Sequence, residues 1–367
     1  MTNRALNFFA GPAALPLEVL QEVQAELLDF KGTGVSVMEI SHRSKQFQAV
    51  VDEAQADLLK ILGLGDDYTV LFLGGGATHQ FIMLGMNMLG EGRTGDYIVS
   101  GKWATRAFEE GGIQGNAHLV ATSAKEDKTY NHLPEVSQEN MTDGAVYLHF
   151  TSNNTIYGTQ WWNYPTPKPG VALISDMSSD FLSHTFDASK FDMIYAGAQK
   201  NVGPAGVAVV VIKKEWANKV CVNKLPKTLD YKMQIKKGSM FNTPPAFNIY
   251  VTGKVFKWVL KNGGLKGMEE RNKKKADLIY GAIDAHPDLY KGYVVNKADR
   301  SWMNVTFNLP TPELEAKFIA EAGEKNMLGL KGYRELGGIR ASIYNSTSPE
   351  TVATLAEFME EFYKNNQ

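Results

Sequence analysis

Seven short apolar runs follow one another between residues 68 and 214, and they restrict the possible folds more than any other feature. They are YTVLFL, DYIVSG, AHLVAT, AVYLHFT, VALISDMSS, FDMIYAGAQ and AGVAVVVIKK. Several are apolar throughout instead of alternating with polar residues, which is typical of strands buried on both faces of a largely parallel sheet. Helical segments such as HQFIMLGMNML lie between some of them, as strand–helix–strand crossovers require. The sequence therefore predicts an α/β fold with a mostly parallel, seven-stranded sheet covered by helices.

Two amphipathic segments precede these runs and predict helices that cover the sheet. Their apolar residues recur at the spacing of one helical face. The first, LEVLQEVQAELLDF, is predicted to bury Leu20, Val23, Leu27 and Leu28. The second, SKQFQAVVDEAQADLLKILG, is predicted to bury Phe47, Val50, Ala54, Leu58 and Ile61.

The pattern changes after KNGG at residues 261–264, where a long charged helix, two strand segments and two further helices are predicted. Ser348 and Pro349 form a good N-cap and first-turn pair for the last helix. We predict a large α/β domain over 16–262 and a smaller α+β domain over 263–367, with segment 1–15 added to it. The run ERNKKKAD is predicted to be a solvated helix face.

The bulk composition excludes several classes of protein. The chain has 367 residues and a formal net charge of -2, so no overall field attracts nucleic acid or an anionic membrane. It has one cysteine, Cys221, and therefore no internal disulfide framework. No apolar run is long enough for a membrane helix, and the first residues lack the apolar core of a signal peptide. We expect a cytoplasmic protein with no nucleic-acid or membrane partner.

Two residues at predicted strand ends carry the argument about chemistry. Asp176 ends the run VALISD, and Lys200 follows the next strand in YAGAQKNVGPAG. Ligands of open parallel sheets bind at the carboxyl ends of strands, so these side chains can face one ligand together. Pyridoxal phosphate needs such a pair, because a lysine forms the imine and a carboxylate keeps the pyridine nitrogen protonated. Taken singly, each has an ordinary alternative: a lysine that extends to water, and an acid that caps a helix or turn.

Other segments offer the remaining parts of a cofactor site. GGGATHQF follows a predicted strand and opens a probable helix, so its free N–H groups can bind a phosphate. It is neither a Walker A loop nor a dinucleotide fingerprint, and a tight turn explains it equally well. Trp103 can stack on a pyridine ring, or it can be a core residue. His79 is expected to pack or cap. The seven histidines are scattered, and none has metal-ligand spacing.

Arginines near both ends of the chain suggest an anionic substrate. EISHRSKQF contains His42 and Arg43, and LKGYRELGGIRAS contains Arg334 and Arg340 on either side of a Gly-Gly bend. Arginine binds carboxylate and phosphate by a planar two-pronged contact. Surface ion pairs are the alternative interpretation for each arginine.

Together, these segments resemble the phosphoserine aminotransferase family, which belongs to the class-V, fold-type I pyridoxal-phosphate enzymes. The resemblance extends from NFFAGPAALP, through SVMEISHRSK, LFLGGGATHQF, TSNNTIYGTQ, SDMSSDF, YAGAQKNVGPAG and FNTPPAFNIY, to GGIRASIYNS. It implies transamination of 3-phosphohydroxypyruvate with glutamate in serine synthesis. It also suggests that the enzyme acts on a phosphorylated threonine analogue in pyridoxine synthesis.

The resemblance also implies roles for individual residues and a homodimer with shared active sites. Lys200 and Asp176 are the implied catalytic residues. The implied cofactor-binding residues are Gly76, Ala77, Trp103, Thr155, Asp176, Ser178, Gln199, Lys200, Asn242 and Thr243. By the resemblance, Trp103 stacks on the ring and Thr155 bonds near its hydroxyl. The phosphate is held by Gly76, Ala77, Ser178 and Gln199, with Asn242 and Thr243 reaching it from the neighbouring subunit. The implied substrate-binding residues are His42, Arg43, Tyr333, Arg334 and Arg340.

The sequence departs from the family pattern at two positions. Tyr333 stands where many members have a histidine, and Ala77 stands where some have an arginine. Both changes remove a side chain that can carry a positive charge and bind the phosphate. Two rival functions stay open. One is another enzyme of the same fold, of the alanine–glyoxylate aminotransferase or cysteine desulfurase type. The other is a non-catalytic protein that binds the cofactor.

Overall fold

The computed structural model describes residues 4–367, so residues 1–3 of the predicted N-terminal segment lie outside the described part. Residues 4–367 form fourteen strands and ten α-helices. The strands are β1 (Leu6–Asn7), β2 (Tyr68–Gly74), β3 (Thr94–Val99), β4 (Asn116–Thr122), β5 (Tyr147–Thr151), β6 (Asn153–Asn154), β7 (Thr159–Gln160), β8 (Ala172–Asp176), β9 (Met193–Gly197), β10 (Val207–Lys213), β11 (Lys291–Gly292), β12 (Asn304–Asn308), β13 (Met327–Leu328) and β14 (Ile339–Ser342). The helices are α1 (Leu17–Glu26), α2 (Lys45–Leu62), α3 (Gly76–Met88), α4 (Lys102–Gln114), α5 (Lys214–Val220), α6 (Tyr231–Lys236), α7 (Ala246–Lys261), α8 (Gly264–Ala285), α9 (Pro312–Glu324) and α10 (Pro349–Asn365).

The seven apolar runs form one seven-stranded sheet, which confirms the predicted fold class. The strand order is β2-β10-β9-β8-β5-β3-β4. All pairs are parallel except those of β10, which runs antiparallel to both β2 and β9. Successive residues of β10 enter different cores, since Val209 packs with α2 and α7 while Val210 packs with α3. Both faces of the sheet are therefore covered, as continuous apolar runs require.

The predicted helices form, but two of the predicted apolar faces need correction. In α1 the buried residues are Val19 and Val23, while Leu28 lies beyond the helix end and is 85% exposed. In α2, Val51 is buried and Val50 is only half-buried. Both errors arise because the apolar face was assigned from residue spacing alone. Where a helix ends, and how it is rotated about its axis, depend on packing.

A third core, formed mostly by residues 276–362, lies between α8, α9, α10 and the antiparallel sheet β11-β12-β14. The N-terminal residue Phe8 belongs to this core, and β1 pairs in parallel with β13 through Leu6 and Met327. Met268, near the start of α8, packs instead into the core of the large sheet. These contacts support the proposed division into 16–262 and 263–367 with the N-terminal segment, and α8 spans the boundary.

The charged run ERNKKKAD was predicted to be solvated, and this prediction is wrong at Asn272, Lys275 and Ala276. Lys275 and Asn272 are fully buried on α8. The Lys275 ammonium donates to three carbonyl oxygens, those of Ile343 (2.8 Å), Tyr344 (2.6 Å) and Thr347 (3.1 Å). Burial lowers the pKa of Lys275 well below its ordinary value. The lysine therefore fastens the segment after β14 to α8.

No helix in the described part of the chain is long and apolar enough to cross a membrane.

Candidate active site

The parallel strands of the large sheet end at one edge, and several of the sequence-predicted site residues lie there. Asp176 is the last residue of β8, and Gly197 is the last residue of β9. Gly74, at the end of β2, pairs with Val207 at the start of the antiparallel β10. The carboxyl ends of the strands therefore surround one crevice, as expected for ligand sites in open α/β sheets.

Lys200 lies in the loop between β9 and β10 and points into this crevice. Its side chain is half-buried, and Nζ donates to the Thr155 hydroxyl at 2.6 Å. Burial lowers the pKa of Lys200 to about 8, an effect that Asp176 opposes and Arg340 reinforces. About a tenth of the amine is therefore neutral at pH 7, far more than for an ordinary lysine, as a nucleophilic lysine requires.

Asp176 is buried and oriented by one neighbouring residue. Oδ1 accepts hydrogen bonds from the Ser178 backbone N–H (2.9 Å) and from the Ser178 hydroxyl (2.6 Å). Burial raises the pKa of Asp176, whereas the two Ser178 hydrogen bonds and the charge of Lys200 act against that rise. Among residues 4–367 no donor bonds to Oδ2, and the carboxylate and Lys200 form no ion pair. The acid and the amine are therefore neighbours that do not bond to each other.

Trp103 lines the same crevice from the start of α4. The Lys200 ammonium lies 5.8 Å from the centroid of its ring. Its indole Nε1 is buried and bonds to no other described residue. A buried donor without a partner calls for an explanation, and one so near Lys200 is available to a ligand.

The Gly-rich turn has the geometry of an anion site. Gly75 precedes α3 with φ of 91°, and a Cβ there would lie 1.9 Å from Nδ1 of His79, so only glycine fits. Gly76 and Ala77 are the first two residues of α3, where backbone N–H groups have no intrahelical partner. His79 packs over the turn, as predicted.

Gln199 and Ser178 complete this side of the crevice in different ways. Gln199 lies directly before Lys200, half-buried, and its carbonyl accepts from the Ala13 N–H at 2.8 Å. The Ser178 hydroxyl already bonds to Asp176 and to the Gly197 N–H, the latter at 2.9 Å. The geometry thus favours Ser178 as the residue that orients Asp176, although a phosphate-binding role was predicted for it.

The small domain contributes an arginine to the crevice. Arg340, on β14, donates from Nη1 to the Thr155 carbonyl at 3.3 Å, and its Nε is buried and bonds to no other described residue. Burial lowers its pKa, although a guanidinium stays charged. Thr155 therefore contacts both Lys200 and Arg340.

The other two predicted substrate-binding residues of the small domain lie in the loop after β13, nearer the surface than Arg340. Tyr333 is half-buried and Arg334 is exposed. The Lys102 ammonium lies 5.1 Å from the Tyr333 ring and contacts both carboxylate oxygens of Glu335, at 2.7 and 2.6 Å. A lysine from the large domain therefore supplies a cation beside Tyr333.

Four predicted residues are not brought into the cluster by this chain alone. Asn242 and Thr243 are exposed, and Asn242 bonds only to the carbonyl of its neighbour, at 3.2 Å. Arg43 is exposed, while His42 is half-buried with its Nε2 unpartnered among the described residues. Their roles stay predictions.

Asn201 and Gly11 were not predicted from the sequence, yet both lie against the lysine loop. Asn201 accepts from the Asn345 N–H (2.9 Å) and donates to the Phe181 carbonyl (2.7 Å), so it joins the lysine loop to the small domain. Gly11 packs so closely that a Cβ would lie 3.4 Å from Cγ of Lys200. The adjacent motifs YAGAQKN and FFAGP were visible in the sequence, but their contact depends on tertiary packing.

Comparison with known proteins gives consistent results. A family model described as aminotransferase class-V matches residues 5–355. A phosphoserine aminotransferase of Desulfatibacillum aliphaticivorans is 50% identical over 367 residues, covering 100% of both chains. The solved phosphoserine aminotransferase from Bacillus circulans subsp. alkalophilus superposes with a TM-score of 0.94 at 46% identity, covering 100% of both chains. Another solved phosphoserine aminotransferase, from a study of radiation damage to its Schiff base, gives a TM-score of 0.93 at 43% identity, covering 99% of this chain and 100% of that one.

Proposed function

This chain belongs to the class-V aminotransferase family and, within it, to the phosphoserine aminotransferases, and from that premise we propose which residues carry the reaction. It is a pyridoxal-phosphate-dependent enzyme of serine biosynthesis. The reversible reaction converts 3-phosphohydroxypyruvate and L-glutamate to O-phospho-L-serine and 2-oxoglutarate. One observation supports the residue roles above all: Asp176 and Lys200 lie at the ends of neighbouring strands, near enough for each charge to shift the pKa of the other group.

The residues around this space fit pyridoxal phosphate. Among residues 4–367, Nε1 of Trp103 and Oδ2 of Asp176 have no hydrogen-bond partner, and the first N–H groups of α3 have none within the helix. We propose that Trp103 stacks on the ring, that Gly76, Ala77 and Gln199 bind the phosphate, and that Thr155 lies near the ring hydroxyl. When bound, pyridoxal phosphate withdraws electrons from the substrate Cα.

Lys200 then acts first as the anchor of the cofactor and afterwards as the base. Its Nζ is held by Thr155 and its pKa is lowered to about 8, so the freed amine accepts the α-proton of the substrate and returns it at a different atom. Asp176 stays ionised opposite the positively charged pyridine nitrogen and keeps the proton on it. Ser178 keeps the carboxylate aimed at that position.

The substrate's anionic groups need several cations. Arg340 lies deepest, next to Lys200, and we propose that it binds the α-carboxylate. His42, Arg43, Tyr333 and Arg334 would bind the phosphate. Lys102 lies against the Tyr333 ring, but Glu335 balances its charge, so the pair does not replace the cation lost with Tyr333.

We further propose a cytoplasmic homodimer in which Asn242 and Thr243 complete the partner's phosphate site. Both are exposed on this chain and have no role within it. Exposed apolar side chains at Leu28, Val35 and Met38 supply apolar surface for such an interface. Cys221 is buried and unpaired, which agrees with a reducing compartment.

A related substrate is included in the proposal. The same combination of carboxylate and phosphate sites suits 4-phosphohydroxy-L-threonine, which is used in pyridoxine synthesis. Transamination of that compound by the purified enzyme, compared with phosphoserine under the same conditions, tests this second role; no turnover would limit the enzyme to serine synthesis.

The test of the main proposal is an absorbance spectrum of the purified protein before and after phosphoserine is added without a keto acid. We expect the yellow band of the lysine-bound cofactor to convert to the amine form with phosphoserine, and much less with serine or alanine. A band that responds to alanine but ignores phosphoserine would favour the alanine–glyoxylate type. Cysteine desulfurase activity would appear as sulfide release from cysteine.

The same assay with Lys200→Ala separates catalysis from mere binding. This variant should fold and bind the cofactor without the imine band, and it should lose turnover. No exchange of the substrate's α-proton in the wild-type protein would instead favour a non-catalytic binding protein.

A further inference from the structure

A second buried carboxylate, Asp180, lies one turn beyond Asp176, and the proposed reaction gives it no role. It is 2% exposed. Its oxygens accept from neutral donors, the Ser152 hydroxyl at Oδ1 and the Gln160 amide nitrogen at Oδ2 (3.3 Å), and no ion pair involves it within residues 4–367. An acid buried without a cation is costly unless it binds a proton, so this group needs an explanation.

Ser152 connects Asp180 to Asp176. Its backbone N–H donates to the Asp176 carbonyl at 3.0 Å, and its Oγ lies 3.2 Å from the same oxygen. The hydroxyl proton therefore has two acceptors, the Asp176 carbonyl and the Asp180 carboxylate. If Asp180 is ionised, Ser152 donates to it. If Asp180 is protonated, it donates to Ser152 Oγ, and the hydroxyl turns to the Asp176 carbonyl. All groups are hydrogen-bonded in both states.

The turn that carries Asp180 also bonds to the lysine loop. The carbonyl of the next residue, Phe181, accepts from Asn201, the residue that follows Lys200. The charged or titratable groups that face Asp180 are Asp176, Lys200 and Tyr164. Burial and the neighbouring Asp176 raise the pKa of Asp180 to about 7, against the effect of Ser152, and its negative charge raises the pKa of Lys200.

We propose that Asp180 is a positioning residue of the active site, whose buried carboxyl group takes up and releases a proton against the Ser152 hydroxyl. The Ser152 hydroxyl turns between its two acceptors as this proton comes and goes, and the negative charge on Asp180 adds to that of Asp176 in favouring the charged form of Lys200. The inference rests on the proposed function, in which Lys200 must be neutral to act as base.

The test uses cofactor-free protein, so its result does not depend on turnover. Infrared difference spectra between about pH 6 and about pH 8 detect the C=O stretch of a protonated carboxyl. In parallel, the rate of Lys200 acetylation by acetic anhydride is followed against pH, with the Lys200 peptide quantified by mass spectrometry. The variants are Asp180→Asn and Ser152→Ala, with Asp187→Asn as the control. Asp187 is an exposed aspartate that caps a nearby turn.

We expect a titrating carboxyl band in the wild type and in Asp187→Asn, and its absence in Asp180→Asn. In Ser152→Ala the band should titrate at higher pH, because the hydroxyl that stabilises the carboxylate is lost. In Asp180→Asn the acetylation profile should shift to lower pH by at least about 0.3 unit, a twofold change in the ratio of neutral to charged Lys200.

Two results would overturn the inference: a titrating band that persists in Asp180→Asn, or acetylation profiles that superimpose. If circular dichroism shows that Asp180→Asn does not fold, the test falls to Ser152→Ala. A carboxyl band that titrates at the same pH in Ser152→Ala as in the wild type would then overturn the inference. Failure of the wild-type enzyme to transaminate phosphoserine would instead count against the proposed function and leave the infrared result intact.

Discussion

Replacing Lys200 by methionine should change how the stability of the cofactor-free protein depends on pH. Burial lowers the pKa of Lys200 from 10.5 to about 8. The folded protein therefore binds fewer protons than the unfolded chain between these two values, and stability rises with pH through that window. The wild type carries the cost of a buried charge below about pH 8, whereas Lys200→Met has no such cost at any pH.

The magnitude follows from the size of the pKa change. A difference of about 2.5 units corresponds to about 3.4 kcal/mol at neutral pH. About 2.5 kcal/mol of this cost is lost between pH 7 and pH 10. Because the side chain is half-buried, solvent screening reduces the expected effect to about 1–2 kcal/mol. Lys200→Met should be more stable than the wild type, and this stability difference should be about 1–2 kcal/mol larger at pH 7 than at pH 10.

The assay is urea unfolding of both proteins at several pH values, with the free energy of unfolding extrapolated to water. Lys190→Met serves as the control, because Lys190 is exposed in a surface turn. Its stability difference from the wild type should stay constant over the window. A difference for Lys200→Met that also stays constant within about 0.5 kcal/mol would show that Lys200 is not desolvated, and the argument for a neutral amine would fail.

Three further substitutions test other parts of the structure. Asp176→Asn should retain cofactor but lower kcat by roughly 10²–10³-fold, because the pyridine nitrogen loses its anionic partner; an unchanged kcat in steady-state assays would contradict that role. Gly101→Ala should destabilise the protein by about 1–3 kcal/mol, since a Cβ would lie 2.1 Å from Oδ1 of Asn154, and equal urea midpoints would show that Asn154 yields freely. Lys275→Met should lower the free energy of unfolding by about 2–4 kcal/mol, because three buried carbonyls lose their donor. Urea unfolding measures this change, and a variant as stable as the wild type would mean that water replaces the ammonium.

The strands of the large sheet could be predicted because burial on both faces leaves a continuous apolar run. Val209 and Val210 are adjacent yet pack into different cores, so neither position admits a polar residue. The antiparallel direction of β10 was not predicted. A signal was present, since only residues 198–206 separate β9 from β10, and a parallel pair needs a longer crossover.

The site was predictable where chemistry and strand ends coincide, as at Asp176 and Lys200. It was not predictable where a residue's environment comes from distant segments. The sequence of its own helix gives Lys275 the pattern of a surface lysine. Its burial depends on the carbonyl groups of Ile343 and Tyr344, which are distant in the sequence. The partners of Asn242 and Thr243 cannot be found from one chain, because the proposal places them across a subunit interface.

The pairing of β1 with β13 has a consequence for how the chain is made. Leu6 is translated 321 residues (327 − 6) before its partner Met327. At about 5–20 residues per second, the wait lasts on the order of 15–60 s. During that time the large sheet can assemble, whereas Phe8 cannot enter its core in the small domain. The first segment of the chain must therefore be among the last to reach its native place, with an open strand edge that molecular chaperones can recognise during synthesis.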